Sequence, residues 1–458
     1  MFIRPNYHRF FFYFSFDYTS KRQVIHDIAS FTGKSKQEFV RTCNFYVKKK
    51  RRFCRMLVRP GLNYCGQHLV EEPDADKSYQ RKRIPCPLDP KHSCFEDNLE
   101  HHIVKCNARE MTNLPYMKHN INQRADIKEE PIKTPLSALS DQELLAFIAK
   151  VEKAHQDHVG PIEESILHHS ALDEEMKTPG YGQSVIRHLD QNSSLLGHLD
   201  QCGFLDTKSK STCYVEFGAG RGQLTHWLTE SVTDTRKALF VLVDRGSQRY
   251  KFDAKLKYRE ELSLCRIRVD IQHLDLNSIE GIESYNSIVG VGKHLCGGAT
   301  DLTLYCLSKL RDPSVSGLAL ALCCHHRCTW SSYVGVVFLQ ECGFSPEEFY
   351  TLTSFTSWAT CNSRDVGSKE EKQVAVEEEN DLANADKEGN TEDKCAVENR
   401  YTRLGLSAEY REEVGRKAKQ IIDYGRLKFL QGCGFKSRLV KYVTKEITLE
   451  NIALIAEA

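Results

Sequence analysis

The chain has 458 residues, with 63 Lys and Arg against 62 Asp and Glu and a net charge of +1. That length suggests about two to four domains, and the charge balance excludes a molecule that is basic all over, so any nucleic-acid surface must be local. Eighteen cysteines cluster beside histidines with no convincing secretory signal ahead of them. They read as metal ligands of an intracellular chain, in cytoplasm or nucleus, before they read as disulfides.

The first 42 residues have no assignable role. "RFFFYFSF" (Arg9 to Phe16) is apolar, but it is far shorter than the roughly 20 apolar residues that a membrane span takes. No small-residue cleavage site clearly follows it. No other segment approaches a span, so no membrane association is expected.

Two Cys/His blocks come next. The first, residues 43–68, offers Cys43, Cys54, Cys65 and His68, a four-ligand set of the kind tetrahedral zinc takes. A segment this small has little core of its own, so the metal would supply its stability. Inside it, "KKKRRFCR" holds six basic residues in eight. Cations bunched near Phe45, Tyr46 and Phe53 suit phosphate contact with base or ribose stacking; a nuclear-localisation-like run or a solvated loop are the alternatives. The second block, residues 86–106, places Cys86 and His92 on an expected loop and His102 and Cys106 four residues apart on one face of a helix. His101 would point about 100° away from His102, and Cys94 would require an unusual loop, so the expected set is Cys86, His92, His102 and Cys106.

A polar stretch, 107–135, leads into a helical region over 136–205. In "SDQELLAFIAKVEKAHQDH" (140–158), Ser140 and Glu143 form a capping-box pair, and Leu144, Leu145, Ile148 and Val151 recur at helical spacing. From residue 213 the rhythm changes to short apolar runs separated by helical segments: 213–217, 238–244, 265–271, 286–292 and 317–324. This is the doubly wound α/β pattern. "FKSRLVKYVT" and "NIALIA" near the C-terminus add two further candidate strands. Residues 370–399 interrupt the pattern with eleven acidic and three basic residues and no aromatic. Such a composition cannot bury enough apolar surface to offset its ordering entropy, so a disordered insertion over about 366–400 is expected inside the domain 206–458. A solvated helix is the alternative.

"CYVEFGAGRGQLTHWL" (213–228) runs from a strand through Gly218, Gly220 and Gly222 into a helix. A dinucleotide-binding turn has its third glycine one residue later. With Glu216 on the strand, the run resembles motif I of class I methyltransferases. That resemblance places S-adenosylmethionine along the three glycines, its ribose hydroxyls near Asp244 and its adenine amino group near Asp270 on the following strand. Two later stretches put reactive side chains after strands: Lys293, His294 and Cys296 in "VGVGKHLCGGATDL", and Cys323, Cys324, His325, His326 and Cys328 in "ALALCCHHRCTW". Strand ends of this kind form the binding crevice of an open α/β sheet. A third zinc site is the alternative for the second stretch, but four ligands so crowded could hardly reach one metal.

"VEFGAGRGQLTHW", "DIQHLDLN", "VGKHLCGGATDL", "ALCCHHRCTW" and "SWATC" together resemble the Trm13 family of tRNA ribose 2′-O-methyltransferases, over about residues 43–458 without the acidic insertion. The segment before Cys43 does not resemble it. The family implies an α/β fold: a class I, Rossmann-like methyltransferase domain preceded by a CCCH-type finger, a CHHC finger and a helical segment. It implies two structural zinc ions, S-adenosylmethionine as methyl donor and tRNA, not DNA, as partner. The acceptor site would be the ribose 2′-hydroxyl of the fourth nucleotide of the acceptor stem. Glu216, Gly218, Gly220, Gly222, Asp244 and Asp270 become the cofactor-binding candidates. Lys293, His294, His325, His326 and Arg327 become candidates for removing the hydroxyl proton or anchoring phosphate. The Lys-Asp-Lys-Glu set of many ribose methyltransferases cannot be assigned. The alternatives are a non-catalytic zinc-finger RNA-binding protein with a methyltransferase-like fold, which the intact glycines, Asp244 and Asp270 oppose, and a small-molecule methyltransferase, which leaves the fingers and the basic run without a task.

Overall fold

The computed structural model describes residues 82–106, 114–127, 129–246, 261–310, 314–361 and 400–458, together with parts of 42–68, 107–113 and 247–260. The aromatic N-terminal segment, most of the basic run and the acidic insertion lie outside the described residues. The chain divides into two units, 1–110 and 111–458.

The first unit contains both Cys/His blocks. In the first block, β1 (Tyr46–Val47) pairs antiparallel with β2 (Arg52–Phe53), bringing Tyr46 opposite Phe53. In the second, β3 (Arg83–Cys86) and β4 (Asp89–Phe95) form a hairpin, and α1 (Leu99–Lys105) follows. Cys86 and His92 were expected on a loop. Instead Cys86 ends β3 and His92 lies within β4, where the register shift between Pro85 and Cys86 tightens the hairpin around the cysteine. Cys106 is the residue that caps the end of α1.

The second unit is built on an eight-stranded sheet. Its strands are β5 (Glu163–Glu164), β6 (Thr212–Phe217), β7 (Ala238–Asp244), β8 (Ser263–Arg268), β9 (Ser287–Cys296), β10 (Val315–Cys323), β11 (Lys436–Lys441) and β12 (Ile452–Glu457). They lie in the order β5-β11-β12-β10-β9-β6-β7-β8. Strands β6 to β10 are mutually parallel, and β12 runs antiparallel to both its neighbours. The two C-terminal candidate strands are therefore β11 and β12. The central strands alternate between two buried layers: Cys213, Val215 and Phe217 face one core, and Tyr214, Phe240, Leu242, Val289 and Val291 face the other. Burial on both faces is why these strands read as continuous apolar runs.

Helices cover both faces. They are α2 (Asp141–His158), α3 (Gln183–Gln201), α4 (Gln223–Ser231), α5 (Gly298–Ser308), α6 (Pro346–Phe355) and α7 (Ala408–Gly432). The leucines of α3 and α4 fill one sheet core, and those of α5 and the end of α7 fill the other. A third core joins α2, α6 and the first half of α7 around Trp330, Tyr333 and Phe349. The Ser140–Glu143 capping box starts α2 as expected; such a cap contributes about 1 kcal/mol. Leu144, Phe147, Ile148 and Val151 are its buried face, whereas Leu145 is exposed. Among the described residues, no helix is long and apolar enough to cross a membrane.

Two strand ends differ from expectation. β9 continues to Cys296, so Lys293, His294 and Cys296 belong to the strand and do not follow it; the continued parallel pairing of Leu322 with Leu295 and of Cys323 with Cys296 extends it. β8 stops at Arg268, so Asp270 lies just beyond the strand, where its carboxylate accepts a hydrogen bond from the Gln272 amide at 3.0 Å.

Candidate functional site

The chain leaves β6 towards β7 and β8 on one side and returns to β9 on the other. Ligands of open α/β sheets bind at such a reversal, beyond the carboxyl ends of the strands. Gly218, Gly220 and Gly222 occupy this point, all in the left-handed region with φ of 63°, 48° and 78°. A side chain at Gly218 would press on Leu295 of β9, whereas one at Gly220 would meet only a carbonyl oxygen at 3.9 Å and otherwise open space. The turn thus presents bare backbone outward.

The carboxylates around the turn hold it in shape. Asp244 Oδ2 accepts from the Gly220 amide at 2.7 Å, and its Oδ1 accepts from the Gly246 amide at 2.6 Å. Glu216 is buried and accepts from both the amide and the hydroxyl of Thr225, so it anchors the first turn of α4 to the strand that feeds it. Asp270 is partly exposed, 3.7 Å from Arg245.

The candidate catalytic residues separate into two groups. Lys293 is buried, and its ammonium donates to the carbonyl of His188 at 3.0 Å and to Asn192 Oδ1 at 2.9 Å, tying β9 to α3. His325 is also enclosed, its Nε2 2.7 Å from Asp423 Oδ1. These two have structural partners. His294, His326 and Arg327, by contrast, are exposed at the ends of β9 and β10. Surrounding protein, and then the Arg327 guanidinium, hold the His326 imidazole below its ordinary pKa, although its edge reaches solvent.

A buried ionic network stands behind them. Arg426 bonds to Asp301 and Asp423 and also donates to the carbonyl of Gly297 and the sulfur of Cys328. Burial alone would raise the Asp423 pKa, but His325 and Arg426 hold it below the usual carboxylate value. Nothing local in the sequence marks the Arg426–Asp301 pair, because the two residues are 125 positions apart. A second unforeseen pair, Lys419 with Glu450, supports the Cys324 amide, which donates to Glu450 Oε1 at 3.4 Å.

Both Cys/His blocks bring their expected ligands together. At zinc–ligand lengths of about 2.3 Å for sulfur and 2.0–2.1 Å for nitrogen, a tetrahedron puts sulfurs about 3.8 Å apart and sulfur about 3.5 Å from nitrogen. In the first, Cys43 Sγ and Cys65 Sγ each lie 3.4 Å from His68 Nδ1, and Cys54 Sγ lies 3.9 Å from Cys65 Sγ. In the second, Cys86 Sγ is 3.7 Å from Cys106 Sγ and 3.2 Å from His102 Nε2, and Cys106 Sγ is 3.4 Å from His92 Nε2. The donors fit tetrahedral zinc. His101 is exposed, and Cys94 is buried outside the cluster. In the first finger, Phe45 stacks on His68 at 3.9 Å, while Tyr46 and Phe53 form an exposed edge-to-face pair.

A family model described as "Methyltransferase TRM13" matches residues 190–457, one for the "CCCH zinc finger in TRM13 protein" matches 41–69, and one for the "U11-48K-like CHHC zinc finger" matches 83–107. The chain belongs to the TRM13 methyltransferase family. The "tRNA:m(4)X modification enzyme TRM13 homolog" of Mus musculus is 34% identical over 90% of this chain and 94% of its own length. The Homo sapiens homologue has the same identity and coverage, and the TRM13 enzyme of Debaryomyces hansenii is 32% identical over 90% of each chain. Both fingers of this family member are zinc sites by family and by donor geometry.

Proposed function

We propose that this TRM13 family member transfers a methyl group from S-adenosylmethionine to a tRNA, at the ribose 2′-hydroxyl of the fourth nucleotide of the acceptor stem. The observation that carries the reading is the left-handed glycine turn at the strand-order reversal, open at Gly220 and flanked by Asp244 and Asp270. The relatives named as tRNA modification enzymes supply the substrate class.

S-adenosylmethionine supplies a methyl group already activated on a sulfonium. The chain must then do three things. Gly218, Gly220 and Gly222 allow close approach of the donor, with Asp244 and Asp270 available to its hydroxyl and amino groups. His326, or His294 near the end of β9, accepts the 2′-hydroxyl proton; with its pKa held down, His326 is neutral at physiological pH and ready to do so. Arg327, also exposed, suits an adjacent phosphate. Lys293 and His325 act from behind by fixing β9 and the turn after β10. In the first finger, the exposed Tyr46 and Phe53 rings beside the basic run suit stacking and backbone contact with RNA.

The test is incubation of the purified protein with labelled S-adenosylmethionine and total tRNA, followed by nucleoside mapping. Label on a ribose in the acceptor stem supports the reading. Label on a base, or none with an intact cofactor site, overturns it.

A further inference from the structure

Outside the two fingers, three more cysteines converge. Cys296 ends β9, Cys323 ends β10 and Cys324 follows it, and their sulfurs lie within 4.8 Å of one another. Cys296 and Cys323 are register partners across the parallel strands, with sulfurs 4.0 Å apart, close to the separation of about 3.8 Å that two thiolates have on one zinc ion.

Neighbouring residues of a strand point to opposite faces, so Cys323 and Cys324 should not share a site. They do because Cys324 adopts φ 53°, ψ 44°, one of two non-glycine residues with positive φ among those described. That conformation is uncommon for a residue with a side chain, and here it turns the second thiol back towards the first. The Cys324 amide is held in this pose by Glu450, which Lys419 pairs. The rest of the Cys/His run is committed elsewhere: His325 to Asp423, and Cys328 to Arg426 at 3.2 Å. The crowding that argues against four ligands within 323–328 therefore does not apply, since β9 contributes the third donor. Cys323 is buried, whereas Cys296 and Cys324 are half-exposed, which leaves an ion a way in.

We propose that Cys296, Cys323 and Cys324 form a third metal site, three thiolates holding a soft divalent cation at the carboxyl ends of β9 and β10. Each thiol releases its proton to solvent as its sulfur takes up the metal. Zn2+ is the probe, because it favours thiolate ligands, the Cys296–Cys323 separation matches it and a fourth position is left for water or a nearby side chain. In sequence the site begins one residue beyond Leu295, the side chain that a Cβ at Gly218 would press on.

The test is zinc analysis of the full chain after loading and desalting in reducing buffer. Wild type should carry three ions per chain. The variant Cys65→Ser/Cys106→Ser, which lacks one ligand in each finger, should keep one, and adding Cys296→Ser should remove it. On the wild-type chain, stripping zinc with a chelator should increase alkylation of Cys296, Cys323 and Cys324, read by peptide mass spectrometry. Two ions in the wild type with alkylation of these three thiols insensitive to the chelator overturns the proposal. So does an oxidised mass two hydrogens lower with Cys296 linked to Cys323 in zinc-loaded protein. The alkylation arm needs no variant to fold, and neither readout depends on methyl transfer.

Discussion

Arg426 and Asp301 meet through two hydrogen bonds, Nε to Oδ1 at 3.1 Å and Nη2 to Oδ2 at 2.6 Å, and neither side chain touches solvent. The pair fastens α7 to the first turn of α5. Through Gly297 and Cys328, the same guanidinium braces the end of β9 and the turn after β10. The exposed His326 and Arg327 thus sit on a framework fixed by fully buried residues.

Breaking that framework should be costly. Arg426→Met leaves Asp301 and Asp423 buried without their shared cation, and the expected loss is about 3–5 kcal/mol. Urea denaturation checks it. Arg426→Lys should recover little, because an ammonium cannot form the two-pronged pair. A midpoint near wild type for Arg426→Met would mean that the network carries no net stability.

The network also sets an acid limit. The folded pKa of Asp423 lies below its unfolded value, so its contribution is present above about pH 4, the ordinary aspartate range, and fades as pH falls through the lower folded value. Asp423→Asn should be less stable than wild type near neutrality, and the difference should shrink on acidification. Urea midpoints measured across this range test it; a difference independent of pH refutes the assignment.

Gly220→Asp should abolish donor binding while keeping the fold. Aspartate tolerates the left-handed region better than most residues, and its side chain would enter open space. Its carboxylate would occupy the approach to the turn and lie near that of Asp244. Calorimetric titration with S-adenosylmethionine is the measurement, and unchanged affinity in a folded variant would move the cofactor elsewhere.

If His326 is the proton acceptor, His326→Asn should lower kcat by about 10²-fold or more while tRNA still binds. Wild-type rate should fall as pH drops through a pKa below about 6.5, the ordinary histidine value, because the imidazole must be neutral to act. A variant that keeps the wild-type rate and acid limb would show that His326 is not the proton acceptor.

Neutralising Lys48, Lys49, Arg51 and Arg52 should weaken tRNA binding and flatten its salt dependence, by roughly 0.7–0.9 in logarithmic slope for each phosphate that the protein no longer neutralises. Donor affinity should not change. Filter binding at several salt concentrations decides, and an unchanged slope would make the basic run a solvated loop or an address.

The local signals in the sequence were strong where chemistry depends on spacing. Eight cysteines and histidines could be assigned to two sites, because a ligand set in a short segment must close on itself. Gly218, Gly220 and Gly222 marked the turn, because only glycine is comfortable in three left-handed positions so close together. The strands β6 to β10 were legible because burial on both faces leaves unbroken apolar runs. What required the tertiary structure is everything that pairs distant residues. Lys293 and His325 look as reactive in the sequence as His294 and His326, yet the first two are claimed by Asn192 and Asp423 and the others face outward. Cys296 and Cys323, 27 residues apart, share a site only because β9 and β10 pair in register. A side chain's chemistry is fixed by its type, but its burial, charge and partners are set by the elements packed against it, and those come from elsewhere in the chain.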